Sequence, residues 1–196
     1  MIRLRYGNTN TFYIPAAHGG LLIDTDYAGT LPAFWKALKQ NGLTLRDIRF
    51  VLPTHFHPDH TGLIGELTAM GVTLLLADVQ RAHVHDPDAV FAREPHLHRE
   101  PIDETKALCI SCKESRAFLR EIGISGEIIA TPSHSPDSIS LILDNGDCFV
   151  GDLEPLSYLP AYGENPPLRA DWERVLSCHP KRIFYAHANE VHLDRA

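Results

Sequence analysis

The stretch Thr54-His55-Phe56-His57-Pro58-Asp59-His60 decides how the rest of the chain is read. Four potential metal ligands fall within six residues, and imidazole with carboxylate is a donor set suited to zinc, manganese or iron. A single His-x-His pair is best read as an exposed polar loop. The full spacing is not, because few physical reasons other than coordination pack these residue types so closely. Immediately upstream, Arg49 to Pro53 is an apolar run with the length of a buried strand. A loop leaving a strand end is held by a rigid sheet, so its side chains can converge on one point.

Working outward, Thr11 to Ile14 and Leu21 to Asp24 are short apolar segments separated by His18-Gly19-Gly20, which predicts a hairpin. Leu31 to Gln40 reads as a helix with Thr30 at its N-cap, Pro32 in the first turn and Gly42 past its end. On the other side, Thr61 to Met70 reads as a helix stopped at Gly71, and Val72 to Ala77 as a strand covered on both faces. Strand, loop, helix, strand is an α/β signature. Asp78 to Thr105, rich in Pro, His and charge, has no clean period and reads as turns lying over the sheet, a candidate lid or substrate wall. Beyond it, Ser111 to Gly123 predicts a helix and Glu127 to Ala130 a strand. Ser138 to Leu143 with Cys148 to Val150 predict a hairpin around Asp144-Asn145-Gly146-Asp147. Asp171 to Cys178 reads as a helix, and Arg182 to Ala186 as a last strand ending at His187.

Three further ligand types occupy strand ends in this scheme. His134 sits in Thr131-Pro132-Ser133-His134-Ser135-Pro136 after an extended segment, Asp152 follows Gly151 after Cys148-Phe149-Val150, and His187 closes the final strand. In this order and approximate spacing, His55, His57, Asp59, His60, His134, Asp152 and His187 resemble the metallo-β-lactamase fold superfamily, over Asn10 to His187. That resemblance implies a four-layer αββα sandwich, with two mixed β-sheets face to face, helices outside and two metals at one edge between the sheets. It implies that His55, His57 and His134 hold the first metal, that Asp59, His60 and His187 hold the second, and that Asp152 bridges both. Asp24 resembles the family's buried aspartate beside the site, which orients a ligand without binding metal. The chain departs from the family where glycine is frequent, carrying Ser133 and Asp137 around His134, and Ala186 and Ala188 around His187.

The chemistry expected of this constellation is hydrolysis of a small ester, thioester or lactone. Two divalent cations, zinc by expectation and iron or manganese as substitutes, would lower the pKa of a shared water toward neutrality and make it the nucleophile. Asp59 and Asp152 are the carboxylates expected to take part. The resemblance also admits a mono-iron dioxygenase of the persulfide dioxygenase type and a non-catalytic binding module of the same fold. A length of 196 residues suits one domain over residues 1–196. The net charge of -7 argues against a nucleic-acid partner, leaving a small-molecule substrate. No apolar run approaches the length of a membrane span, and Met1 to Gly7 lack the apolar core of a signal peptide, so a cytoplasmic address is expected. Cys109, Cys112, Cys148 and Cys178 are too scattered for a disulfide framework, and Cys109-x-x-Cys112 lacks the second pair of a zinc ribbon. His83-x-His85 and His96-x-His98 read as surface pairs. Tyr158 and Tyr162 follow Asp152 closely enough to line a pocket or polarise a carbonyl.

Overall fold

The computed structural model describes residues 1–161 and 163–193. Its strands are β1 (Ile2–Leu4), β2 (Thr11–Ile14), β3 (Gly20–Ile23), β4 (Ile48–Leu52), β5 (Thr73–Ala77), β6 (Leu108–Ile110), β7 (Gly126–Ala130), β8 (Ile139–Leu143), β9 (Asp147–Phe149), β10 (Arg182–Phe184) and β11 (Val191–His192). The first six make one sheet in chain order, antiparallel from β1 to β3 and parallel from β3 to β6. The second sheet runs β11-β10-β9-β8-β7, with only β9 and β10 parallel. Both sheets are therefore mixed. The helices are α1 (Leu31–Gln40), α2 (Pro58–Thr61), α3 (Ile64–Ala69), α4 (Asp88–Phe91), α5 (Ser115–Glu121) and α6 (Pro166–Ser177).

Side chains alternate between the faces of a strand, and that alternation sorts the core into three apolar layers. Phe50 and Leu52 of β4 join Phe12, Leu21 and Ile23 on the inner face, meeting Ile139, Leu141, Phe149 and Phe184 of the other sheet. Val51 points the opposite way and packs with Leu22 against Phe34 and Leu38 of α1 and against Ile64 and Leu67 of α3. On the far side, Cys148, Ile183 and Tyr185 pack on Leu168, Trp172 and Val175 of α6. Helix, sheet, sheet, helix is the expected four-layer order. The sheets are locked by an aromatic cluster: the Phe12 ring lies 5.0 Å from Phe149 and 5.5 Å from Phe184, centroid to centroid, edge-on to both. Each side chain of this size contributes roughly 1.5–3 kcal/mol on full burial.

Several elements differ from the sequence reading for identifiable reasons. The helix expected over 61–70 is two helices broken at Gly62, where a Cβ would lie 2.3 Å from the Tyr27 carbonyl carbon and 2.2 Å from the Ala28 nitrogen. The close pass of the chain following β3 requires glycine there and interrupts the period. The last helix starts at Pro166 rather than Asp171, capped by the Asn165 side chain, which accepts from the Leu168 N–H; Asn-Pro-Pro is a readable start signal. Thr30 precedes α1 as expected, but its hydroxyl turns back to the Tyr27 carbonyl and caps nothing. The short edge strands β1, β6 and β11 are too brief for a period to show. The 78–105 segment folds as turns around α4, as read; its Val84 and Ile102 pack with the side chains of α1 and α3, and Tyr27 of the loop after β3 donates to Glu94 at 2.5 Å. No helix among the described residues is long and apolar enough to cross a membrane.

Candidate metal centre

The loop after β4, the α2 turn and the loops after β7, β9 and β10 all end at one edge of the sandwich. His55 and His57 come from the first loop. Asp59 and His60 lie within α2 rather than in a loop, so the helical turn sets the angle between them. His134 follows β7, Asp152 follows β9 and His187 follows β10. All seven sequence-predicted side chains converge here. One ligand atom from each of His55, His57, His134 and Asp152 falls within 4.8 Å of the others, and so do Asp59, His60 and His187 among themselves. Asp152 sits between the two groups: its Oδ2 is 3.7 Å from His134 Nε2 and 3.4 Å from His60 Nε2, and its Oδ1 is 3.3 Å from His187 Nε2.

The outer nitrogens of the imidazoles are held by the protein. His60 Nδ1 lies 3.1 Å from the buried Asp24 Oδ2, His187 Nδ1 lies 3.2 Å from the Asn8 carbonyl oxygen and His55 Nδ1 lies 3.2 Å from Thr54 Oγ1. Each contact leaves Nε2 aimed at the cluster, the arrangement that fixes ring orientation in metal sites. Asp24 stands one residue past β3 in the left-handed conformation, φ 56°, and its carboxylate also accepts from the Thr54 N–H at 2.6 Å. It thus sits where the resemblance implied, buried and against the imidazole of His60. The site loops are tied to one another by side chains that the sequence reading passed over. Asp137 is buried and accepts from the Phe56 N–H at 2.6 Å and from Ser135 Oγ at 2.7 Å, joining the His55–His57 loop to the His134 loop. Asn10 donates to the carbonyls of Tyr185 and Ala188, bracketing His187. Asp171 of α6 accepts from the Ser133 N–H at 2.7 Å, beside His134. Gly151 adopts φ 57°, and a Cβ there would lie 2.4 Å from Thr54 Oγ1, so glycine lets the Asp152 turn close over β4.

His55 Nε2, His60 Nε2 and Asp152 Oδ1 are buried and make no hydrogen bond. Buried polar atoms without a hydrogen bond are costly unless something binds them, and a divalent cation is the partner that imidazole and carboxylate donors fit. Electrostatics within the metal-free cluster are uneven. Burial, then the neighbouring imidazoles, pushes His55 well below the ordinary histidine range. Burial also lowers His134. For His60 burial opposes charge, yet Asp24 and Asp152 outweigh it and lift the pKa to about 10. Burial would raise Asp59, but the His187 hydrogen bond and the charge of His60 hold it near about 2. The same contact raises His187.

Two clefts adjoin the cluster. One, of about 320 Å³, is bounded by His134, Asp152 and His187 together with Glu154, Tyr158 and Tyr185. The other lies beside His57 and is walled by His83, Asp86 and Val90 of the 78–105 segment, which places part of that segment next to the site. His83 and His85 are paired with Asp86 and Asp88 at 2.7 and 3.0 Å, and His98 lies 3.5 Å from Glu100. The four cysteines are free. Tyr162 lies outside the described residues.

Comparison with known proteins agrees with this fold. A 143-residue stretch is 30% identical to a Methanocaldococcus jannaschii protein named "Probable metallo-hydrolase", covering 71% of this chain and 65% of that one. The Drosophila melanogaster beta-lactamase-like protein 2 homolog is 25% identical over 93% of this chain and 59% of its own length. The matched stretches span from 28% to 65% of the length of such curated relatives. Among solved structures, a metallo-beta-lactamase family protein from Thermus thermophilus superposes with a TM-score of 0.71 at 21% identity, over 94% of this chain and 70% of that one. TTHA1623, solved in a di-iron-bound form, gives 0.68 at 23% identity over 97% and 93%; both show a common fold. The family model of the metallo-beta-lactamase superfamily matches residues 4–187, and with the site assembled as described the chain belongs to that superfamily.

Proposed function

We propose that the chain is a dinuclear metal-dependent hydrolase of a small ester, thioester or lactone. The observation that carries the reading is the convergence of seven donors in two groups around Asp152, with two buried imidazole nitrogens and a carboxylate oxygen that make no hydrogen bond. His55, His57 and His134 would hold one divalent ion, Asp59, His60 and His187 the other, and Asp152 would touch both. Zinc is our first choice, with iron or manganese compatible with the same donors. When bound, the ions supply a water acidified to near neutrality and a positive charge beside the attacked group.

The protein's own part is orientation. Asp24 and the Asn8 carbonyl hold His60 and His187 by their outer nitrogens. Asp59 Oδ2 and Asp152 Oδ1 both face His187 Nε2, at 3.0 and 3.3 Å. Both carboxyls are held below the ordinary range, so they serve as acceptors that orient a water rather than as strong bases. Tyr158 lines the cleft where a substrate carbonyl would enter. Two donor groups favour a dinuclear site over a mono-iron dioxygenase, and the full donor set argues against a silent binding module.

The test is to purify the protein without chelator, count bound metals by mass spectrometry, and assay thioester, lactone, β-lactam and phosphodiester substrates before and after chelation. We expect about two equivalents of metal and chelator-sensitive turnover of the thioester or lactone. Full metal content and activity in both Asp59→Ala and His134→Ala would refute the assignment.

A further inference from the structure

The cleft beside Asp152 has a charge character of its own. No lysine or arginine lines it among the described residues. Its ionisable walls are the site residues His134, Asp152 and His187, two tyrosines and Glu154. Glu154 is half-buried, and its backbone is fixed by Trp172, whose Nε1 donates to its carbonyl oxygen at 2.9 Å from within α6. Among the described residues no lysine or arginine pairs with its carboxylate, whose field reaches His134. Facing the same space is Tyr158, 53% exposed at the end of the turn Leu156–Tyr158, while Tyr185 forms a buried wall.

A half-buried carboxylate with no lysine or arginine paired to it can take its counter-charge from a ligand. An aromatic side chain lining the same cleft as such a carboxylate is the combination that favours alkylammonium groups, through cation–π attraction and charge together. An anionic substrate would meet Glu154 with no lysine or arginine in the described wall to offset the repulsion, leaving only the bound ions to do so. The net charge of -7 also draws cations toward the molecule. A volume of about 320 Å³ suits a small-molecule group. The second cleft, beside His57, touches only one of the seven site residues and so has a weaker claim on the substrate.

We propose that this cleft selects substrates carrying an ammonium group beside the hydrolysable acyl linkage, with Glu154 as counter-charge and Tyr158 as aromatic wall, and that it discriminates against anionic substrates. The inference rests on the hydrolase reading of the same site. Glu154 sets specificity and touches the substrate away from the bond that breaks.

The experiment uses the metal-replete full chain and three thioacetates of matched size: acetylthiocholine, its uncharged 3,3-dimethylbutyl counterpart and an analogue ending in a carboxylate. We expect kcat/KM to fall in that order, by about tenfold from the cationic to the uncharged ester. Glu154→Gln should collapse the cationic-to-uncharged ratio to near one, chiefly through KM. Glu154→Lys should shift preference toward the anionic ester. In parallel, binding of benzyltrimethylammonium is measured by calorimetry on wild type and Glu154→Gln, with about tenfold weakening expected. Ammonium binding that depends on Glu154, without turnover of any of the three thioacetates, upholds the cation-binding role of the cleft and counts against thioester hydrolysis there. Turnover with equal or anion-favouring kcat/KM, or a ratio untouched by Glu154→Gln, overturns the inference and leaves the hydrolase reading standing. Neither binding nor turnover overturns both.

Discussion

Asp137 stands where the superfamily often has glycine, and its replacement by alanine tests whether a buried carboxylate holds the His55–His57 loop and the His134 loop in register. It is 3% exposed and accepts two hydrogen bonds, from the Phe56 N–H at 2.6 Å and from Ser135 Oγ at 2.7 Å. Hydrogen bonds to an ionised group contribute about 1.5–3 kcal/mol each, and a buried N–H left without an acceptor costs about 1–3 kcal/mol. Against this stands relief of the carboxylate's own desolvation, so the net loss for Asp137→Ala should be about 2–4 kcal/mol. Against a total stability of about 5–15 kcal/mol the variant still folds, with a melting temperature lower by about 5–15 °C. Asp137→Asn keeps an acceptor for Phe56 and should lose only about 1 kcal/mol. The measurement is urea and thermal denaturation of metal-free protein, followed by titration with zinc. An alanine variant within about 0.5 kcal/mol of wild type, or one with unchanged affinity at the His57–His134 half of the site, would refute the reasoning.

Other outcomes follow from the same geometry. Asp24→Ala should weaken metal binding by about 10–100-fold and destabilise the metal-free fold, because it frees His60 and strands the Thr54 N–H. Normal affinity in that variant would show that His60 is oriented by something else. With a pKa lifted to about 10, His60 carries a proton at neutral pH in the metal-free chain, and a cation must displace it. Loading at pH 7 should therefore release protons, and apparent affinity should rise with pH until it levels near that value. Calorimetry in two buffers of different ionisation enthalpy reads the release, and a result of zero would contradict it. Phe12→Ala should cost about 3–5 kcal/mol, measured by denaturation, since its ring packs edge-on against Phe149 and Phe184 across the sheets.

Much of the site was legible because each ligand type follows an apolar run. Arg49 to Pro53 announces β4, Cys148 to Val150 announces β9 and Arg182 to Ala186 announces β10, and each delivers its His or Asp to the same edge. The layers were legible through the α/β order and the resemblance, not through period alone. What escaped was held by single contacts between remote positions. Nothing near Gly62 signals that the Tyr27–Ala28 backbone will pass within a bond or two of it. Asp137 reads as a loop aspartate until Phe56, 81 positions away, is seen to need its oxygen. Glu154 looks like any acidic loop residue until the wall around it proves to hold no lysine or arginine among the described residues. Three-residue strands at sheet edges leave no pattern for alternation to act on.

The donors do not come from one sheet. His55, His57, Asp59 and His60 hang from the first, and His134, Asp152 and His187 from the second. Ions seated among them would act as rivets through two plates: sliding one layer over the other would mean stretching coordination bonds as well as parting phenyl rings. Stripping the ions would then slacken the whole sandwich at its working rim, and the bonds that ready a water for attack would be the same ones that keep the plates aligned.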